Sequence, residues 1–289
     1  MWVWYSLFVA IWGALQTFLV KKLTKKINSL TLLYVLFLFN IPISFALLLF
    51  MGGIPKTTGG FYLYLGISGF LDAIAFVCSF WAISRSSISL IAPISSFSPV
   101  FTTIIAAFTI NEIPTPIKLV GILLIVFGAY LLNAADIRSG ILNPFKVLFS
   151  NKSVLLFLLA HFLWGFTPIL QKKAIFETQP QVPLFAAIVG MIFVFLYLSP
   201  FALRKTLSSF REISVNLKWF VINGIGNAFA QAAAFAAFAL AYLGYATSVF
   251  RLSVFFTIIL GGVFLKEERI KERLLGGAVM VIGTILLAL

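Results

Sequence analysis

Two charged side chains stand where a mostly apolar chain can least tolerate them. Asp72 is the only acid in the middle of an apolar stretch, about twelve residues from either end, and Arg251 lies six residues into another. An uncompensated charge at such depth in a bilayer costs about 3 kcal/mol on insertion scales. Each group must therefore be paired, neutralised or turned toward water. A carboxylate in that position could take up a proton or a cation. A guanidinium could hold a carboxylate or phosphate through two parallel hydrogen bonds. The alternatives are a protonated Asp72 bonding across helices, an Arg251 that snorkels to the surface, or a pair formed by the two.

Other polar residues add to these two. Asn223, Asn227 and Gln231 recur at intervals of four and make one polar stripe on a helix otherwise rich in Ala and Phe. Either they line a wet cavity or they bond to neighbouring helices. Gln16 lies one turn past Trp12, and His161 and Gln171 flank Trp164 in a later segment. Trp12, Trp81 and Trp164 offer flat faces that could cup an amphipathic molecule or a cation. Pro93 and Pro99, with Ser95, Ser96 and Ser98 around them, predict a kinked polar segment that could serve as hinge or wall. Pro168 and Thr167 could act similarly.

Several classes of chemistry lack their parts. The chain has one cysteine and one histidine, which excludes an intrachain disulfide and a multi-histidine or thiolate metal site. No phosphate loop, metal motif or nucleophile elbow is present, so neither an enzyme nor a cofactor is expected. The formal net charge of +13 falls in short clusters between apolar segments. That pattern fits membrane lipid headgroups and topology control, and no nucleic acid is expected as partner.

The elements that must position these residues follow from composition. Of 289 residues 62% are hydrophobic and only 10% charged, against about 25% charged in soluble domains. Lipid must be the solvent. Ten apolar stretches read as helices at roughly 2–20, 30–51, 60–84, 88–110, 115–133, 153–171, 181–202, 217–241, 245–265 and 271–289. They are too long for barrel strands and do not alternate polar with apolar. The segment before the first break carries no Lys or Arg and reads as an uncleaved span. The odd-numbered connections and their flanks hold sixteen basic residues and the even-numbered ones four. By the positive-inside rule, the odd connections are cytoplasmic and both termini lie outside.

The two halves repeat. At an offset of 155 residues Ser98, Phe101 and Thr102 match Ser253, Phe256 and Thr257, and Glu112, Gly121 and Gly128 match Glu267, Gly276 and Gly283. Asp72 falls on Asn227 at the same offset, and Trp12-Gly13 matches Trp164-Gly165 at 152. Because each unit has five spans, the copies must cross in opposite senses. The fold class is an all-α integral membrane protein of ten transmembrane helices, built as two inverted five-helix repeats with a pocket at their interface. Residues 1–134 form the first repeat, 135–150 the linker and 151–289 the second. The paired glycines, with Glu112 and Glu267, read as packing and structural residues. Gly121/Gly128 and Gly276/Gly283 stripe one face of the fifth and tenth spans, which suits either their mutual packing or a homodimer.

This pattern resembles the EamA-type family of the drug/metabolite transporter superfamily. The residues that carry it are Trp12-Gly13 and Trp164-Gly165, the Ser-rich run from Ala82 through Ser87, Pro93, the segment Ser98 to Thr103, Asn111-Glu112, and Gly121 with Gly128. The second half repeats it more weakly, with Ser248 and Val254 opposite Pro93 and Pro99, and Arg251 opposite Ser96. The resemblance implies a secondary transporter of small polar metabolites such as amino acids, working by alternating access, often in export and with proton exchange. It implies a prokaryotic plasma membrane and, against the charge count, both termini inside. On this reading Trp12, Gln16, Asp72, Trp81, Ser96, Trp164, Asn223, Asn227, Gln231 and Arg251 are the substrate and translocation residues, with Asp72 the proton site. The alternative is a lipid-handling or structural membrane protein without solute transport.

Overall fold

Long runs of Leu, Phe, Ile and Ala leave the backbone no water to bond, and helices satisfy it internally. The computed structural model describes residues 1–24, 27–51, 53–85, 97–134, 152–265 and 270–289. Its helices are α1 (Trp2–Thr24), α2 (Ser29–Met51), α3 (Gly59–Arg85), α4 (Ser98–Ile110), α5 (Pro116–Ala134), α6 (Lys152–Phe176), α7 (Pro183–Ser208), α8 (Phe210–Val215), α9 (Leu217–Leu240), α10 (Leu243–Phe250), α11 (Leu252–Leu265) and α12 (Ile270–Ala288). The short α8 links the seventh and eighth spans, and α10 with α11 forms the ninth. Pro93, Ser96, Glu267 and the linker 135–150 lie outside the described residues.

Neighbours pair as an exchange of halves requires. Helix α3 packs on α6 as α9 packs on α1. Likewise α2 meets α9 as α7 meets α3, and α4 meets α6 as α11 meets α1. Three contacts map onto themselves: α2 with α7, α4 with α10, and α5 with α12. The main core runs through Phe61, Leu65, Ile169, Phe185, Ile188 and Leu198. On the outside Phe50, Phe108 and Phe201 are 90%, 86% and 69% exposed, which only a lipid surround makes favourable.

The helices depart from the sequence reading in physically legible ways. Helix α1 continues through Lys21 and Lys22 to Thr24, since lysine ends a lipid-buried stretch without ending a helix. The expected kink at Pro99 takes another form. Helix α4 begins at Ser98, so Pro99 stands in its first turn, where a missing N–H has no partner to lose. The ninth span, expected as one helix over 245–265, is divided at Arg251. There Arg251 N–H donates to Ser248 O at 3.0 Å and Val254 N–H to Arg251 O at 3.0 Å, tightening the helix to three-residue bonds.

One face of the molecule carries both chain ends and is tied across the halves. Strand β1 (Lys56–Thr57), after α2, pairs antiparallel with β2 (Thr178–Gln179), after α6. The Thr58 hydroxyl donates to Glu177 beside it. Lys118 Nζ, at the start of α5, donates to the Leu287 carbonyl at the end of α12, 2.7 Å away.

The glycine stripes meet each other inside the chain. Gly121 faces Gly283 and Gly128 faces Gly276, so α5 and α12 cross backbone to backbone. A Cβ at Gly128 would stand 2.6 Å from the Gly276 carbonyl and from Met280 Cγ. These four glycines are occupied within one chain and are not free to form a homodimer. Gly128→Ala must push the helices apart. We expect a loss of about 1–3 kcal/mol, read as a melting temperature several degrees lower for the purified protein in detergent micelles. An unchanged melting temperature would mean that this crossing is not tight.

Candidate functional site

Between the halves lies a cavity of about 290 Å³, built from α1, α2, α3, α4, α6, α7, α9, α10 and the Arg251 break. Its walls are largely aromatic, with Phe37, Phe76, Trp164, Phe235, Phe238 and Phe250. Trp164 is held edge-on, 5.2 Å from Phe76 at 72° and 5.2 Å from His161 at 85° between ring centroids and planes. His161 is buried and anchored by a 2.9 Å bond between Nδ1 and the Phe157 carbonyl. It therefore supports Trp164 from behind.

The polar groups enter from both halves. Asp72, in the middle of α3, accepts from Gln171 Nε2 at 3.1 Å and from Ser68 Oγ at 3.4 Å, and the Thr167 hydroxyl also bonds it. Gln171 Nε2 lies 3.2 Å from Ser68 Oγ as well. Every named partner is a donor, so the carboxyl sits in a cradle that suits an anion. Gln171 and Thr167 come from α6, on either side of Pro168.

Arg251 is differently placed. It lines the same cavity, and its Nε is buried with no hydrogen-bond partner. Among the described residues no carboxylate lies within 4.0 Å of its guanidinium, so the pair with Asp72 entertained from sequence does not form. The helix tightens around this residue, and the cation lines the cavity with its Nε uncommitted. A pocket with one anion already cradled and one cation not yet answered is chemically asymmetric. It can receive a carboxylate at one end and exchange a donor at the other.

Of the residues expected to form the site, Asp72, Trp164, Gln231 and Arg251 share this cavity. Trp12, Gln16, Trp81, Asn223 and Asn227 do not line it. Trp12 packs its ring over Gly226, where a Cβ would come within 1.9 Å of it. Trp81 sits near the far end of α3 under the Lys152 ammonium, 5.7 Å from its ring centroid. Asn223 is fully buried between helices, with Gly224 against Phe39 and Ile43 of α2. Of the polar stripe on α9, only Gln231 lines the cavity, and the other two positions lie nearer the start of the helix. Gln171 and Thr167 do line it. Their polarity was visible in the sequence, but their convergence on Asp72 was not.

A second arrangement lies nearer the face with the chain ends. Lys172 Nζ donates to Glu112 Oε1 and to the Ala241 carbonyl, both at 2.6 Å, and Glu112 Oε2 accepts the Leu243 N–H at 2.6 Å. Both charged residues are buried, 9% and 7% exposed. Asn111, left-handed at φ 54°, ends α4 and turns the chain so that Glu112 can meet the N-terminus of α10. Glu112, expected as a structural residue, is thus half of a buried ion pair that joins the two halves.

The EamA-like transporter family model matches residues 1–134 and 151–289. The chain belongs to that family. This EamA-like protein is therefore a multi-pass membrane transporter of the drug/metabolite type. Among solved structures, a crystal structure of a protein 15% identical to it superposes with a TM-score of 0.75, over 100% of this chain and 98% of the other. That likeness extends to the fold. No curated protein sequence matches the chain.

The two cavity charges respond oppositely to removal. Arg251 has no partner to leave behind, so Arg251→Met removes a buried, unanswered cation. We expect the empty protein to melt at the same temperature or slightly higher, a gain in stability of up to about 1 kcal/mol. A clear fall in the melting temperature would show that Arg251 is already held by a group of this chain.

Proposed function

We propose that this protein is a carrier, not an enzyme, that exchanges small zwitterionic metabolites, amino acids with apolar side chains, for protons across a prokaryotic plasma membrane. The observation that carries this reading is one aromatic-walled cavity that holds both Asp72 and Arg251 with no ion pair between them. Arg251 would take the carboxylate, Asp72 the ammonium, and the ring of Phe and Trp side chains the apolar group. A volume of about 290 Å³ is at the small end for metabolite sites, which span about 300–1,000 Å³. That favours an amino acid over a nucleotide or a large drug.

The same carboxylate that holds an ammonium can hold a proton, but not both. Competition for Asp72 makes substrate and proton alternate in the cavity, and alternation is the requirement for exchange. With protons entering down their gradient, the amino acid leaves, so the reading favours export. Lipid handling would call for a charged cavity opening to the bilayer. An apolar groove of about 500 Å³ between α3 and α7, around Phe70, Cys78 and Tyr197, is lined by no charged residue.

Counterflow in proteoliposomes tests this. The panel is L-leucine, L-phenylalanine, phenethylamine, which lacks the carboxylate, and 3-phenylpropionate, which lacks the amine. Only the two zwitterions should exchange well. Arg251→Ala should weaken L-phenylalanine about 10- to 150-fold, the loss of a charged hydrogen-bonded contact, and leave residual phenethylamine binding unchanged. Asp72→Asn should keep some L-leucine counterflow and lose its response to an imposed pH gradient. Equal transport of all four compounds, or a gradient response that survives in Asp72→Asn, would overturn the assignment.

A further inference from the structure

The segment from Pro168 to Gln179 touches both the cavity and three ties between the halves. Gln171 bonds Asp72. Its neighbour Lys172 bonds Glu112 and the Ala241 carbonyl. Glu177 accepts from Thr58, and Thr178 and Gln179 pair with Thr57 and Lys56. Each of these bonds except that to Ala241 crosses from the second half to the first. At its start Pro168 deletes the N–H that would bond Trp164 O, so this end of α6 is joined to the rest of its helix by one rung fewer.

We infer that this segment couples the cavity to a gate, with Lys172–Glu112 as the latch that closes the face bearing the chain ends. The inference rests on the carrier reading above. A substrate ammonium reaching Asp72 competes with Gln171 for the same carboxylate oxygen. When Gln171 yields, the last turns of α6 lose their hold on α3. Lys172, one residue on and about 100° around the helix, is then free to leave Glu112. Glu112 in turn releases the N-terminus of α10, the helix that ends at Arg251. The latch thus joins the two charged ends of the cavity, through the adjacent Gln171 on one side and the eight residues of α10 on the other. A substrate without an ammonium does not displace Gln171 and leaves the face shut.

The β1–β2 pair supplies a reporter. Lys56 and Gln179 are exposed cross-strand partners, and Cys78 is the one native cysteine. In a Cys78→Ser background, Lys56→Cys with Gln179→Cys should bridge rapidly under mild oxidation while the face is closed. Saturating L-leucine should slow bridging severalfold, and 3-phenylpropionate should not. Glu112→Gln should slow it without substrate, and Gln171→Leu should do the same and abolish the response to L-leucine. Once bridged, the protein should still bind L-leucine but not exchange it until reduced.

Exchange by the bridged protein at the unbridged rate would overturn the gate. L-leucine that binds yet leaves the bridging rate unchanged would overturn the coupling while the carrier reading stands. Should none of the panel bind or exchange, the carrier reading fails. Bridging in Glu112→Gln then decides the latch alone, and an unchanged rate overturns it. Each variant is first checked for a monodisperse elution profile, and the bridged protein tests the gate with Lys172 and Glu112 intact.

Discussion

Lipid gives a charge nothing, so every ionised side chain inside this bundle must be answered by the chain itself or by what enters it. Lys172 and Glu112 answer each other and recruit two backbone groups besides. Asp72 is met by Ser68, Thr167 and Gln171. Arg251 alone among these four has a buried donor with no partner. The fold positions three satisfied charges with care and leaves the fourth open at the cavity. A site defined by an unmet electrostatic need binds whatever meets it. That is a stronger constraint on substrate chemistry than the aromatic walls impose.

Inverted repetition supplies the frame, and its departures supply the function. The exchange of halves is followed closely by helix packing, with Gly121 set against Gly283 and Gly128 against Gly276. It is not followed by the charges. Asp72 has Asn227 as its counterpart, and Arg251 has Ser96. A symmetric pair of charges would present the same cavity to both faces. An acid from the first half and a base from the second instead make one polar axis, which under the proposed function receives a dipolar molecule.

The sequence showed the bundle well and the site in part. Ten apolar spans, the repeat, and the glycine faces follow from periodicities that lipid imposes on every residue. Asp72 and Arg251 were legible because a charge within a span is conspicuous. Gln231 and Trp164 line the cavity, whereas Trp12 packs over Gly226 of α9 and Asn223 is buried within the bundle. A four-residue spacing says which side chains share a stripe, but not which neighbour that stripe meets. The break at Arg251 had no proline or glycine to announce it. The Lys172–Glu112 pair joins residues 60 positions apart in sequence, and only the packing of α4 and α6 brings them together.

A buried ion pair is a weak source of stability, and that suits a latch. Removing Lys172 and Glu112 from water is penalised by several kcal/mol per ion, which their attraction and hydrogen bonds roughly offset. Opening the face separates the charges but also returns both to water, so the two states differ little in free energy from this source. A hydrophobic plug of the same size would hold the face shut more firmly, since opening would expose its apolar area with no compensating gain. The situation reverses when one partner is removed while the face stays closed, because the other is then left buried and unpaired. The pair thus penalises a half-formed gate and tolerates either complete state. An alternating carrier requires that property, since an intermediate open to both faces would let its gradient leak away.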